Sequence, residues 1–299
     1  MGKIEEVIKN PSKIIAYYGM KGYFKWIPDK IYLSICFKAV FNRKISWKNP
    51  VSFNEKLQWL KVYNRQSTYT TLVDKYEVKK YVADIIGKEY IIPTLGVWEK
   101  LEDIDFEILP EKFVLKCTHD SGGIVLCKNK SQLDKDKVKE KLETNLKHNF
   151  FYNSREWPYK NVKPRIIAEK YLESADSEDL KDYKLMCFNG EVKCSLVCSD
   201  RYTSEGLKII FYDRNWKKLP FVIKDPMSEK EVDKPQNYDK MIQLAERLAI
   251  GIPFVRVDFY EILGEVYFGE MTFFPVSGMG RFKPEEWDEV LGAWIKLPN

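Results

Sequence analysis

The stretch PFVRVDFYEILGEVYFGEMTF, residues 253–273, predicts a β-hairpin that carries charged side chains on one face. Its β-branched and aromatic residues are typical of strands, and the pair Leu263-Gly264 between them is typical of a tight turn. Because the side chains of a strand alternate between two faces, reflection about the turn places Asp258 opposite Glu270. The residues that then share one polar face are Arg256, Asp258, Glu270 and Thr272.

This polar face needs a charged partner, because burying unpaired charge on an otherwise apolar hairpin is costly. Two adjacent carboxylates, here Asp258 and Glu270, suit a hard cation such as Mg²⁺, which protein sites usually bind together with phosphate groups. The alternative is an Arg256–Asp258 pair on a hydrated sheet face, with Glu270 free in solvent. The hairpin by itself leaves both interpretations open.

The composition is that of a well-buried globular protein. The chain has 299 residues, of which 44% are hydrophobic and 14% aromatic, enough for one large or two to three small domains. The two histidines lie far apart in sequence, so a histidine-based zinc site is not expected. Six cysteines form no CxxC pair and are expected to be buried thiols of a reducing compartment. We expect a cytoplasmic protein without a nucleic-acid partner, since neither a signal-peptide pattern nor a membrane-spanning apolar run is found.

Positive charge is concentrated near the N-terminus. Residues 1–48 carry ten Lys or Arg and three Asp or Glu, a net charge of +7, whereas the whole chain carries +5. Aromatic residues are interleaved with these lysines. One interpretation is contact with an anionic polymer or with the inner face of a membrane. The favoured alternative is a helical cap whose aromatic side chains pack on the rest of the protein.

A second informative stretch is FVLKCTHDSGGIVLC, residues 113–127, which predicts strand, glycine-containing loop and strand. Backbone N–H groups of such a loop can bind phosphate oxygens. The charge of Lys116, inside an otherwise apolar strand, favours a phosphate site over a plain hairpin turn. No GK[ST] sequence and no helix follow the glycines, so the stretch is not a Walker motif.

Four further positions, in three segments, are candidates for binding. Lys75 stands at the start of a predicted helix, where its side chain could reach a phosphate. The strand RIIAEKYL carries Glu169 near its end, where a carboxylate could accept a hydrogen bond from a ribose hydroxyl. A hairpin over residues 182–202 carries Lys184 on its first strand and Arg201 at its end.

In this order of features the sequence resembles the ATP-grasp superfamily, and most closely its teichuronopeptide-biosynthesis, TupA-like branch of bacterial surface-polysaccharide loci. The resemblance covers nearly the whole chain and rests on SFNEKLQWLK, DKYEVKKYV, IPTLGVW, FVLKCTHDSGG, CKNKS, DYKLMCFNGE and VRVDFYEILGEVYFGEMTF. It implies an α+β fold in which two α+β lobes clasp ATP. The implied divisions are a helical N-terminal region, residues 1–72, a lobe with the phosphate loop, residues 73–172, and a lobe with the metal-binding hairpin, residues 173–299.

The resemblance also implies roles for individual residues. The implied nucleotide-binding residues are Lys75 and Lys116 at the phosphates, His119, Asp120, Ser121, Gly122 and Gly123 in a mobile loop above them, Glu169 at the ribose, and Lys170, Tyr171 and Leu172 at the adenine. The implied metal ligands are Asp258, Glu270 and Thr272, with Glu270 bridging two Mg²⁺ ions. Arg256 would steady the γ-phosphoryl group, and Lys184 and Arg201 would face phosphate or the carboxylate substrate. Thr272 departs from the family pattern, where Asn is usual, which puts the affinity for a second metal ion in doubt.

The implied function is an ATP-dependent carboxylate–amine ligase that acts through an acylphosphate. For the TupA-like branch, the expected substrates are a uronic-acid carboxylate of a surface polysaccharide or its precursor, and an amino acid or other amine. One alternative is a Mg²⁺-ATP-dependent phosphotransferase that acts on a glycan hydroxyl. Another is a glycosyltransferase-type polysaccharide protein that binds sugar nucleotides, which leaves Lys75, Lys116 and the glycine loop unexplained as a set. The N-terminal region does not resemble the usual domain that precedes an ATP-grasp fold, so the site of the second substrate is unassigned.

Overall fold

The computed structural model describes residues 14, 17–19, 21–173, 181–199, 208–224, 226–228 and 231–298. In these ranges, no helix has both the length and the apolar character that crossing a membrane requires. The six cysteines are buried free thiols, as the sequence predicts.

The chain alternates helical stretches with antiparallel strands. The helices are α1 (Asp29–Phe41), α2 (Phe53–Tyr63), α3 (Thr68–Val73), α4 (Glu77–Ile86), α5 (Lys135–Leu146), α6 (Phe151–Ser154), α7 (Tyr238–Leu248) and α8 (Trp287–Trp294). The strands are β1 (Thr94–Trp98), β2 (Phe113–Cys117), β3 (Ile124–Cys127), β4 (Ile166–Lys170), β5 (Asp182–Phe188), β6 (Glu191–Ser199), β7 (Lys208–Asp213), β8 (Val222–Ile223), β9 (Phe254–Ile262), β10 (Glu265–Thr272) and β11 (Phe282–Lys283). Short 3₁₀ segments lie at Lys88–Tyr90, Leu101–Asp103, Lys130–Gln132, Trp157–Asn161 and Pro275–Gly278.

The strands form two main antiparallel sheets. The smaller sheet has the order β1-β4-β2-β3, and the larger sheet has the order β10-β9-β5-β6-β7. Strands β8 and β11 pair separately. This combination of helices with antiparallel sheets confirms the α+β class that the sequence predicts.

Each main sheet has its own buried core. Behind the larger sheet, α7 contributes side chains spaced three and four residues apart, including Met241, Ala245 and Leu248, as expected of an amphipathic helix. Helices α2 and α4 join the same core. Behind the smaller sheet, Val138 and Leu142 of α5 pack against alternate residues of β2 and β4.

Helix α2 is fixed at both ends. At its start, Ser52 and Glu55 form the capping box that the sequence predicts, with each side chain accepting a hydrogen bond from the other residue's backbone N–H. Near its end, Lys61 is completely buried, and its Nζ donates to the backbone oxygens of Ser154 at 2.9 Å and Ser277 at 2.8 Å. Burial lowers the pKa of Lys61 to about 8, against the opposing effect of the Glu156 carboxylate.

The hairpin of β9 and β10 turns at Leu263-Gly264, as the sequence predicts. Both turn residues have positive φ, +52° at Leu263 and +79° at Gly264, as in the type I′ turns that suit the twist of paired strands. The strand pairing that starts at this turn continues without a break as far as the pair Phe268–Phe259.

A β-bulge then places the two carboxylates opposite each other. The pairing skips Gly269, so that Glu270 lies opposite Asp258. Without the bulge, Glu270 would lie opposite Val257 and its side chain would point into the core. The predicted register is therefore correct at the site, although the sequence argument did not include the bulge. A Cβ on Gly269 would lie 3.1 Å from the Asp258 backbone oxygen, which explains the glycine.

We expect the substitution Leu263→Asn to raise the free energy of unfolding by about 1 kcal/mol. The Leu263 side chain is 79% exposed, so little packing is lost, and Asn tolerates the left-handed conformation far better than Leu. Urea denaturation with an unchanged m-value measures the gain. Leu263→Ala is the matched control and should give no such gain, because Ala lacks the short polar side chain that lets Asn form local hydrogen bonds in the left-handed conformation. A less stable Leu263→Asn protein would contradict the proposed turn strain.

Candidate active site

On the polar face of the β9–β10 hairpin, the Arg256 side chain contacts the other three polar residues. Its Nε and Nη2 each lie 2.7 Å from one carboxylate oxygen of Asp258, which gives a bidentate ion pair. Nη2 also lies 3.2 Å from Glu270 Oε1 and 3.0 Å from Thr272 Oγ1. The structure therefore brings together all four residues that the hairpin pattern predicts, with the guanidinium between the two carboxylates.

Lys184 adds a second cation from the neighbouring strand β5. It lies opposite Asp258 in the sheet, and its Nζ forms ion pairs with Asp258 and, at 2.5 Å, with Asp182 Oδ2. Burial alone would lower the pKa of Lys184, but the charges of Asp182 and Asp258 raise it above the ordinary value. For Asp258, which is only 1% exposed, burial raises the pKa against the pull of Arg256 and Lys184.

On the smaller sheet, Glu169 lies between two lysines. Lys116 Nζ of β2 is 2.6 Å from Glu169 Oε2, and Lys79 of α4 forms an ion pair with Oε1. Burial by itself raises the pKa of Glu169, but Lys116 and Lys79 reverse this and lower it. Lys79 also donates to the backbone oxygen of Ile92 at 2.7 Å. The predicted phosphate lysine and the predicted ribose carboxylate thus contact each other.

The loop between β2 and β3 is attached to Lys75. The Lys75 backbone N–H donates to the Thr118 oxygen at 3.1 Å, and its Nζ donates to the Asp120 backbone oxygen. The buried His119 ring places Nε2 3.1 Å from the Asn145 backbone oxygen, so it fastens the loop to α5. Ser121 and Gly122 form the exposed part of the loop.

The Asp120 carboxylate occupies the backbone donors of this loop. Its Oδ1 accepts hydrogen bonds from the N–H groups of Gly122 at 3.4 Å and Gly123 at 3.2 Å. Its Oδ2 is buried and has no hydrogen-bond partner within the described part of the chain. The N–H groups that the sequence predicts at a phosphate are here held by an anion of the protein itself.

The charged groups of the two sheets meet at Glu270. Its side chain is 43% exposed and therefore faces the open side of the site. The partial burial of the Glu270 side chain by itself favours a higher pKa, but surrounding cations hold the pKa of Glu270 at about 2. The cations that lower it are, in order of effect, Lys184, Lys75, Arg256 and Lys116.

Three residues of this site were not predicted. Asp182 lies two residues before Lys184 on β5, so the strand alternation could have placed it on the same face. Lys79 lies four residues, about one helical turn, after Lys75, and this spacing could have placed the two lysines on the same side of the chain. No sequence pattern marks the third residue, Tyr159. Burial and the charges of Glu156 and Glu270 raise the pKa of its hydroxyl well above the ordinary value.

Other predicted roles remain predictions. The Lys170 backbone N–H donates to the Pro93 oxygen at 3.0 Å, and Tyr171 and Leu172 follow directly after β4. Arg201 lies outside the described residues. Across the part of the chain that is described, no cluster of three or more His, Cys, Asp or Glu side chains suited to a metal ion is found. The predicted metal ligands, Asp258, Glu270 and Thr272, comprise two carboxylates and a hydroxyl.

Comparison with known proteins identifies the family to which the chain is related. The sequence model of the TupA-like ATP-grasp family matches residues 55–296. No curated protein matches the chain.

Several solved structures are similar to the chain. D-alanine–D-alanine ligase from Bacillus anthracis, complexed with ATP, is 17% identical with a TM-score of 0.38, and the match covers 68% of this chain and 54% of that one. D-alanine–D-alanine ligase from Helicobacter pylori is 15% identical with a TM-score of 0.41, covering 76% of this chain and 63% of that one. The ATP-grasp ligase PsnB, complexed with minimal precursor, Mg and ADP, is 12% identical with a TM-score of 0.38, covering 74% and 57%.

The chain thus spans less than two thirds of the length of these ligases. The family match, in contrast, extends over most of this sequence and includes every described residue of the charged site. The chain belongs to the TupA-like ATP-grasp family.

Proposed function

We propose that the protein is a Mg²⁺- and ATP-dependent ligase that joins a carboxylate to an amine. The observation that carries this proposal is the convergence on Glu270 of four cations from separate segments, beside the second carboxylate of Asp258. Cations surrounding paired carboxylates are the arrangement that phosphate oxygens and a divalent metal require together.

The residues present fit Mg²⁺ and ATP. Asp258 and Glu270 offer oxygen ligands, and the pKa of about 2 keeps Glu270 in the anionic form that binds a metal. The buried Asp120 Oδ2, which lacks a hydrogen-bond partner within the described residues, is an acceptor that movement of the loop on nucleotide binding can satisfy. Mg²⁺ held by Asp258 and Glu270 would supply positive charge to the phosphoryl oxygens.

In the proposed reaction, Lys75 and Lys116 bind phosphate oxygens and Arg256 orients the group that is transferred. A carboxylate oxygen of the substrate bonds to the γ-phosphorus while the bond to the ADP oxygen breaks, which gives an acylphosphate. The amine then attacks the acyl carbon, phosphate leaves, and the nitrogen loses a proton. The protein's part is positioning and charge neutralisation rather than covalent attack.

The acid–base properties of the site favour a carboxylate acceptor over a glycan hydroxyl. A hydroxyl acceptor must lose a proton, and Glu270, with a pKa of about 2, is a weak base. Asp258, as a metal ligand in this proposal, would hold Mg²⁺ rather than accept a proton. Burial raises the pKa of the Cys117 thiol, near the loop, to about 12, so a thiolate nucleophile is not favoured either.

For the substrates, we propose a uronic-acid carboxylate of a surface polysaccharide, such as a capsule, or of its precursor, together with an amino acid or other amine. The support is the TupA-like family of the match. The rival sugar-nucleotide function is separable at low cost, because ATP and a UDP-sugar can be compared for their effects on thermal stability. Stabilisation by the UDP-sugar alone would favour the glycosyltransferase alternative.

The first prediction concerns the fate of a labelled carboxylate oxygen. If the acylphosphate forms, a uronic acid labelled with ¹⁸O in its carboxylate should transfer one label to the phosphate that is released with the amide. Mass spectrometry of the phosphate measures the label, and the reaction without amine is the control. Unlabelled phosphate with an intact labelled acid would contradict the ligase, and a phosphorylated glycan would instead establish the phosphotransferase.

The second prediction is that Glu270→Gln lowers the rate of phosphate release by more than roughly 100-fold, the scale for removing a key electrostatic group. The change keeps the side-chain shape but removes the charge that holds Mg²⁺. It should also abolish the Mg²⁺-dependent part of thermal stabilisation by ATP, a measurement that needs no second substrate. Glu265→Gln, on the same strand but exposed near the turn, is the control and should behave as the parent does. Near-parental turnover by Glu270→Gln would show that Glu270 is not a metal ligand.

The third prediction is that Asp120→Asn strengthens MgATP binding by at least about threefold. Asn keeps an oxygen acceptor for Gly122 and Gly123 but removes a negative charge that an incoming phosphate would meet. Titration calorimetry measures the dissociation constant. Asp136→Asn, on the exposed face of α5, is the control. Weaker binding by Asp120→Asn would mean that Asp120 supports the loop rather than competing with phosphate.

A further inference from the structure

A cluster of exposed aromatic residues lies near the start of the described chain. From Tyr17 to Pro28 the sequence contains two lysines and neither Asp nor Glu. Four large aromatic side chains in this segment are strongly exposed: Tyr17 by 51%, Tyr18 by 45%, Tyr23 by 67% and Trp26 by 78%. We call the set Tyr17, Tyr18, Lys21, Tyr23, Lys25 and Trp26 the aromatic–lysine turn.

The tyrosines of this turn form one continuous surface. The ring centroids of Tyr17 and Tyr18 are 5.3 Å apart, and those of Tyr18 and Tyr23 are 5.9 Å apart. Lys21 Nζ lies 4.5 Å from the centroid of the Tyr17 ring. Single exposed apolar residues are normal on a protein surface, but a contiguous group of them marks a site of interaction.

The turn is anchored on the body of the protein through Arg155 and Tyr32. Arg155 is 1% exposed, and its Nη2 donates to the backbone oxygens of Phe24 at 2.8 Å and Ile27 at 3.5 Å. Its guanidinium lies 4.6 Å from the centroid of the Tyr32 ring. A Cβ on Gly19 would collide with that same ring, so the chain passes directly over it. The backbone is therefore anchored inward while the aromatic rings point outward.

The chemistry of the turn matches the headgroup region of an anionic bilayer. Its exposed rings are Tyr and Trp, the aromatic types that lie at membrane–water interfaces, and its lysines suit anionic lipid. The rings of Tyr17 and Tyr18 meet at 83° and those of Tyr18 and Tyr23 at 76°, so they form no flat platform for stacking on a sugar. We propose that the aromatic–lysine turn docks the protein on the surface of an anionic lipid membrane. This inference is independent of the proposed ligase activity.

Binding of the full-length protein to lipid vesicles tests the aromatic part of the proposal. The probes are vesicles of phosphatidylcholine alone and of phosphatidylcholine with about one third phosphatidylglycerol, with co-sedimentation as the readout. The double variant Tyr23→Ser/Trp26→Ser should bind the anionic vesicles at least roughly tenfold less tightly than the parent. The matched control is Ile108→Ser/Ile250→Ser, which removes two side chains of similar exposure, 70% and 75%, and should bind as the parent does.

A second pair of variants tests the charge. Lys21→Gln/Lys25→Gln should weaken binding to anionic vesicles by about 30-fold at low salt and leave binding to neutral vesicles unchanged. The control Lys137→Gln/Lys147→Gln removes equal charge from one lysine of α5 and one directly after it, which are 83% and 79% exposed. Raising the salt concentration should reduce the difference between the parent and the Lys21/Lys25 variant.

Thermal unfolding midpoints within a few degrees of the parent show that each variant is folded. The proposal is overturned if the parent does not bind anionic vesicles, or if the control variants lose binding as strongly as the turn variants. It is also overturned if the parent does not bind vesicles but binds a soluble acidic polysaccharide through the same residues. The turn would then be a binding site for an anionic polymer. None of these measurements uses ATP or the ligase substrates, so their failure is separate from a failure of the proposed reaction.

Discussion

The burial of the Asp258 carboxylate is the constraint on which the architecture of the site depends. A buried, unpaired carboxylate costs several kcal/mol, so the fold must supply cations wherever this side chain lies. Arg256 supplies one from the same strand, two residues away, and Lys184 supplies another from the adjacent strand. Lys75 and Lys116 lie close enough to this face of the larger sheet to lower the pKa of Glu270.

The site is therefore built from two halves that each contain their own ion pairs. The larger sheet holds Asp258 with Arg256 and Lys184, and the smaller sheet holds Glu169 with Lys116. In each half, the carboxylate is paired with a cation of the protein in the absence of ligand. Glu270 is the partly exposed carboxylate whose pKa is lowered by cations of both halves. A polyanion accompanied by a divalent cation can exchange these internal pairs for its own, at little net cost in desolvation.

The residues of the site that the sequence predicts are those whose positions follow from local rules. The residues that it does not predict are brought to the site by contacts between distant segments. Strand alternation and a two-residue turn were enough to pair Asp258 with Glu270, although the bulge at Gly269 completed the register. The α+β class followed from the family motifs. The Glu169–Lys79 pair joins residues 90 positions apart on a strand and a helix, and Tyr159 acts on the site from a short 3₁₀ segment. Local spacing does not encode either contact, because tertiary packing brings these segments together.

The buried Lys61 has a consequence for how the chain is assembled. Its ammonium group is hydrogen-bonded to carbonyl groups that lie 93 and 216 residues further along the sequence. During synthesis from the N-terminus, α2 emerges long before Ser277, and burying its lysine without that partner would leave a charge only partly compensated. This face of α2 therefore reaches its full stability only when nearly the whole polypeptide has been made. A chain that stops short of Ser277 would lack one of the two carbonyl groups that bind the Lys61 ammonium, so burying that lysine would cost it more free energy than it costs the full chain.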